Sequence, residues 1–262
     1  MERQIDYDRI KTVNLILERC GTARSSIPPT LLYNEGWMLR LLLEWFSQQP
    51  ASGHPLSFPK GAQWYSEALI PSTFLPRTRG DKYAESWTHA DGVIGHFEIG
   101  KNRDTDLTLL KEATTLKILE AKMLSKLSAG IKHAPYYNQA ARNIACIAEI
   151  LKRADKRPEG MLTVSFFLIA PSAQIKKGVA DKLSSESIAS VVNRRIVEYD
   201  EDKNKWYEQW FLPTLHAMDI RAISWEDILT YIKENDPNVG GELCLFYEKC
   251  LEYNRFKMNA VY

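Results

Sequence analysis

Thr114-Thr-Leu-Lys-Ile-Leu-Glu-Ala-Lys122 is an apolar strand that ends in Glu-x-Lys. Side chains alternate across a strand, so Glu120 and Lys122 point to one side, roughly 7 Å apart along it. They share that side with Leu116 and Ile118, while Leu119, Ala121 and Met123 line the other. A face that is apolar upstream and polar only at its tip differs from an ordinary solvated strand, which is polar along one whole face. The expectation is a buried strand that presents a carboxylate and an ammonium at its end.

Immediately upstream, residues 87–99 (Trp-Thr-His-Ala-Asp-Gly-Val-Ile-Gly-His-Phe-Glu-Ile) read as a second strand, followed by a polar turn at 100–105. With strand candidates at 106–110 and 114–123, an antiparallel meander is predicted. Asp91 then stands at the edge of a neighbouring strand, and His89, two residues earlier, shares its side; a structural histidine is the favoured reading there. Downstream, an Ala-rich helix is predicted over 136–153, a buried strand over 161–170, helices over 183–198 and 202–217, and a short strand over 220–225. Ser224 is read as the cap of a closing helix over 225–233. Towards the N-terminus, helices are predicted over 7–20 and from about Thr30. Leu31, Met38, Leu39, Leu42 and Phe46 form the second helix's apolar stripe, and Glu35 sits inside it. The Pro-, Ser- and Gly-rich residues 49–79 read as an irregular covering segment.

Composition bounds the answer. The 262 residues, 45% of them hydrophobic, suffice for one elaborated α/β domain over 1–262. Its core is expected at about 30–170 and a helical portion at about 171–262, around a central mixed sheet of four or five strands flanked by helices. A net charge of +1 gives no global sign of a polyanion partner, so local groups must carry any such argument. Cys20, Cys146, Cys244 and Cys250 are scattered without a Cys-x-x-Cys pair, which reads as free thiols in a reducing compartment. The polar, acidic N-terminus and the lack of a long apolar run point to the cytoplasm and away from a membrane.

Two carboxylates, Asp91 and Glu120, converging with a backbone carbonyl and water would form an oxygen-rich octahedral site suited to Mg²⁺ or Mn²⁺. Lys122 adds a positive charge beside them, the combination that phosphodiester hydrolysis uses to activate water and to stabilise the phosphorane. Between about 35 and 170 the chain resembles the PD-(D/E)XK nucleases. In that superfamily an acidic residue lies on the helix before the sheet, an aspartate on the second strand and an acidic residue with lysine on the third. A glutamine often follows on the next helix. Glu35, Asp91, Glu120 with Lys122, and Gln139 match in that order.

The resemblance implies a restriction-endonuclease-like core and metal-dependent cleavage of nucleic acid, DNA ahead of RNA. It also implies Asp91, Glu120 and Glu35 as metal residues, Lys122 acting on the attacking water, and Gln139 touching water or substrate. A homodimer or larger complex is compatible with it. No proline precedes Asp91, and its interval to Glu120 is longer than a tight hairpin needs, which leaves Asp104 and Asp106 as alternative metal aspartates.

Other features carry blander readings. Lys126, Lys132, His133 and Arg142 surround the motif as candidate phosphate contacts. The basic residues 152–157 read as a solvated turn, and Trp206, Tyr207, Trp210 and Phe211 as core. The competing functional readings are a non-catalytic module binding nucleic acid or protein on a nuclease-like fold, and an unrelated α/β protein with a fortuitous Glu-x-Lys.

Overall fold

In the computed structural model, which describes residues 7–101, 104–125, 127, 134–199 and 203–259, the chain begins with helices α1 (Tyr7–Glu18) and α2 (Glu35–Ser47). Strands β1 (Gln63–Ile70), β2 (Thr88–Gly95), β3 (Phe97–Ile99), β4 (Leu107–Leu109) and β5 (Thr115–Ala121) follow. Helix α3 (Gln139–Arg153) leads into β6 (Thr163–Ala170), and α4 (Ser172–Gln174), α5 (Ser185–Tyr199), α6 (Asn204–Trp206) and α7 (Leu212–Ala217) into β7 (Asp219–Ser224). The described chain closes with α8 (Trp225–Asn235) and α9 (Pro237–Asn259). No helix among these residues is long and apolar enough to cross a membrane.

Every residue of β5 is buried, because both faces and both edges of this strand are covered. It lies at the centre of a five-stranded sheet ordered β1-β2-β5-β6-β7, with β2 antiparallel on one side and β6 parallel on the other. The parallel pairs β5/β6 and β6/β7 are joined through helices, as parallel neighbours must be. The protein is therefore α/β, with a mixed sheet between helical layers. On one face Leu116, Ile118, Phe166 and Leu168 pack against α3, α5 and α7. Ala140, Ala141, Ala145 and Ala148 let α3 approach the strands closely. On the other face Leu119, Ala121, Phe167 and Ile169 meet α2, α8 and α9 through Leu39, Leu43, Ile228, Ile232 and Tyr247.

Several expectations need correction. Residues 63–70 are a strand, not part of an irregular covering segment. Its pattern escapes a simple alternation because Ser66, bonded to Arg40 on α2, and Ala68, in the α3-side core, point to opposite faces although two apart. The residue between them, Glu67, has φ 60°, a left-handed conformation that costs energy for a non-glycine residue. The stretch 87–99 breaks into β2 and β3, and β3 pairs with β4 in a separate two-stranded ribbon, so β5 pairs directly with β2 in place of a continuous meander. The turn Pro29–Leu31 is 3₁₀, and Leu31 is 58% exposed, so it does not belong to the buried stripe. Helix α2 starts at Glu35, where Asn34 caps it by accepting from Trp37 N at 2.9 Å. The 23-residue α9 extends the chain beyond the helix that was expected to close it. Segment 204–217 is helical but includes a π turn at Tyr207–Phe211, within which Phe211 is buried and stacks on Trp206, as a core reading requires.

The β2/β5 pairing fixes where the two candidate carboxylates meet, and Gly95 permits it. A Cβ there would lie 2.4 Å from the Thr115 carbonyl oxygen, a backbone atom that cannot step aside. Gly95→Ala is expected to lower stability by about 1–3 kcal/mol, the usual cost of overpacking, seen as a lower urea midpoint with an unchanged slope. An unshifted midpoint would show that the strand spacing there is slack.

Candidate active site

The tip of β5 is where buried structure turns polar. The β2/β5 ladder ends at the Gly92–Leu119 pair, and beyond it the Ala121 N–H donates to Asp91 Oδ2 at 2.8 Å. The N–H and C=O of one strand residue leave on the same side, so the Ala121 carbonyl faces the Asp91 edge without a strand partner in that ladder. Asp91 is in this way tied to the backbone between Glu120 and Lys122.

Glu120 is fully buried. Asn143 Nδ2, on α3, donates to its Oε2 at 2.8 Å, and Lys122 Nζ lies 2.5 Å from its Oε1. The two oxygens of Glu120 are thus held by different partners, one by an amide and one by an ammonium. Burial, and then the neighbouring Asp91 carboxylate, push the Glu120 carboxyl up to about 8, with Lys122 opposing the rise.

A cleft of about 430 Å³ lies at this point, with Glu35, Gly36, Arg40, Glu67, Asp91, Ala121 and Lys122 among its lining residues and the buried Glu120 not among them. Glu35, half-buried in the first turn of α2, thus shares a cleft with Asp91 and Lys122. Gln139 starts α3 one turn before Asn143 on the same helical face, and Asn143 is the residue that reaches Glu120. His89 lies at the surface with Nδ1 3.0 Å from the Glu67 carbonyl oxygen, in keeping with a structural histidine.

The alternative aspartates stand elsewhere: Asp104 is exposed, and Asp106 is buried beside a separate cavity lined by Trp87 and Arg153. Arg142 is not a free phosphate contact, since its Nε pairs with the buried Glu85 at 2.9 Å and its Nη2 donates to the Ser86 carbonyl. Lys126, Lys132 and His133 lie outside the described residues. In the basic turn, Arg157 covers the Trp210 ring at 4.1 Å and Arg153 that of Trp87 at 5.1 Å, so these two guanidinium groups pack on aromatic faces.

Three residues of the site escaped sequence reasoning. Asn143 had a signal: an Asn inside an Ala-rich helix is unfavourable unless it has a buried partner. Arg40 had one too, as a cation within Trp37-Met-Leu-Arg-Leu-Leu-Leu43. Glu67 had none, because the break in face alternation that brings it here also hides its strand.

Does the site suit a divalent cation? Among the described residues no group of three or more His, Cys, Asp or Glu side chains forms a ready-made cage. What is present is the Glu120 carboxyl, raised by burial and by Asp91, the Asp91 carboxylate beside it and a strand carbonyl free of its ladder, all of them hard oxygen donors that fit Mg²⁺ or Mn²⁺ with water completing the shell. No family model, no curated protein and no solved structure matches this chain.

Proposed function

We propose that this cleft hydrolyses phosphodiester bonds with Mg²⁺ or Mn²⁺, in the manner of a PD-(D/E)XK nuclease, with DNA as substrate. The observation that carries the reading is the meeting of Asp91, Glu120 and Lys122 at the end of the central strand, where the buried Glu120 carboxyl is held beside Asp91 at a cost that a divalent cation would offset. The order of elements supports it. With β1 recognised as a strand, Asp91 lies on the second strand of the main sheet and Glu120 with Lys122 on the third, after an α2 that starts with Glu35 and before an α3 that starts with Gln139. That order is the one the resemblance to the PD-(D/E)XK nucleases implies.

Asp91 and Glu120 would hold the ion, with Glu35 in reach through water. Bound there, the cation supplies Lewis acidity towards the phosphoryl oxygen and the attacking water. The chain's own groups do the rest. Asn143 fixes Glu120 Oε2, and Lys122 holds Oε1. The Lys122 ammonium, paired with Glu120 beside the Asp91 carboxylate, would orient the attacking water and offset charge developing on the phosphorane.

One observation favours a non-catalytic binding module instead: the Lys122–Glu120 ion pair already neutralises one carboxylate without a metal. Incubation of the purified protein with supercoiled plasmid separates the two readings. Conversion to nicked and linear forms is expected with Mg²⁺ or Mn²⁺ and not with EDTA. Intact plasmid at high protein concentration with both metals would reject the nuclease reading.

A further inference from the structure

The cleft is acidic, and a phosphodiester strand entering it meets Glu35, Glu67 and Asp91. Two cations are found among its lining residues, Lys122, which is engaged with Glu120, and Arg40. Arg40 stands on the second turn of α2. Its Nε donates to Ser66 Oγ at 2.9 Å, which fixes the guanidinium by one edge. Gly36, one turn earlier, makes room for it, since a Cβ there would lie 3.3 Å from Arg40 Nη1. On the other edge the partner is distant: Nη2 lies 3.7 Å from Glu67 Oε1, with the two side chains 29% and 51% exposed. Exposed pairs of this kind hold weakly, so a phosphate can take the place of Glu67. A guanidinium anchored through Nε still offers parallel N–H donors from its terminal nitrogens, a match for two phosphate oxygens.

The register sets the distance from the chemistry. The pairs Ser66–Gly92 and Ala68–Ala90 bracket Glu67 and Asp91, which therefore stand at facing positions across β1 and β2, and both line the cleft. Arg40, bonded to the residue next to Glu67, lies beside the Asp91–Glu120 centre and not on it. Resting on the nuclease reading, we propose that Arg40 grips a phosphate adjacent to the scissile one, so that the cleft holds the nucleic-acid strand at two points. Glu67 is the stand-in partner that keeps the guanidinium in place until the strand arrives.

The test is binding of a short fluorescein-labelled DNA duplex, followed by anisotropy in EDTA across a salt series, for wild type, Arg40→Gln and Arg40→Lys. Arg40→Gln is expected to weaken binding and to reduce the slope of log K against log salt by about one, the loss of a single phosphate contact. Arg40→Lys keeps the charge and is expected to restore the slope but only part of the affinity. In plasmid cleavage Arg40→Gln should raise KM several-fold with kcat nearly retained. Unchanged affinity and slope in Arg40→Gln, alongside a wild type that binds and cleaves, would overturn the Arg40 proposal and leave the nuclease reading standing. A loss of kcat alone, with KM and slope unchanged, would also overturn it, by making Arg40 a support of the site's geometry. A wild type that binds duplex and loses binding in Arg40→Gln but never cleaves would sustain the grip and sink the nuclease reading. A wild type that neither binds nor cleaves would end both.

Discussion

Lys122→Ala is expected to cut the cleavage rate on the order of 100-fold to 1000-fold, equivalent to roughly 3–4 kcal/mol of transition-state stabilisation, the usual loss when one preorganised charge-stabilising donor is removed. A protonated lysine has no lone pair for a metal, so the loss belongs to the attacking water and the phosphorane and not to coordination. Its side chain is only 12% exposed and stands 2.5 Å from Glu120 Oε1, so no water-borne cation replaces it cheaply. A second effect must be separated from the first. Lys122 holds the Glu120 carboxyl lower than burial and Asp91 would leave it, so the alanine variant raises that carboxyl further and weakens metal binding near neutral pH. The rate comparison therefore belongs at saturating Mg²⁺ and at pH 9, where Glu120 is ionised in wild type. Single-turnover cleavage under those conditions reads the chemical step. Lys122→Arg should rescue poorly, because a planar guanidinium cannot occupy the position of a compact ammonium. Wild-type rates in folded Lys122→Ala protein would remove this lysine from the chemistry.

What the sequence disclosed depended on whether a residue's role follows from its own strand or helix. Glu120 and Lys122 were legible because the period of a strand puts them on one side, and the apolar residues around them mark that strand as buried. Asp91 was legible for the same reason on β2. Glu35 was found for a partly mistaken reason: the stripe that includes it does not extend back to the exposed Leu31, and what places Glu35 at the cleft is the helix start fixed by Asn34. The β1 strand and Glu67 were not legible, since a left-handed residue in mid-strand reverses the facing pattern from which strands are recognised. The choice of Asn143 over Gln139 as the partner of Glu120 is a matter of how far α3 has slid along β5. Helical spacing gives both residues one face but not the depth at which that face meets the strand. The α9 helix opens with Pro237-Asn-Val-Gly-Gly241, a poor helix-forming start that concealed the apolar series Leu243, Tyr247 and Cys250 behind it.

Glu120→Gln is expected to abolish metal-dependent cleavage and, in the absence of metal, to stabilise the protein at alkaline pH. The sign follows from the direction of the shift. The folded-state carboxyl titrates at about 8, above its ordinary value of 4.5, so between those values the folded protein retains a proton that the unfolded chain releases. At pH 4 both states are protonated and the group contributes nothing. As pH rises from 4.5 the wild type loses stability, and the loss levels off above about 8, where the buried carboxylate is ionised beside Asp91. The cumulative cost is on the order of a few kcal/mol, one pK unit being about 1.4 kcal/mol. The glutamine amide does not titrate and keeps an oxygen for Asn143 to donate to, so the variant's urea midpoint should overlay the wild type near pH 4.5 and exceed it by pH 9. Adding Mg²⁺ at pH 9 gives the second half of the test. Binding to the ionised pair should raise the wild-type midpoint by RT ln(1 + [Mg²⁺]/Kd) and close the gap, while the variant, left with Asp91 alone, should gain little. If both proteins show the same pH slope, Glu120 is not the group whose burial is being released. If Mg²⁺ stabilises both equally, the cation binds somewhere other than the tip of β5.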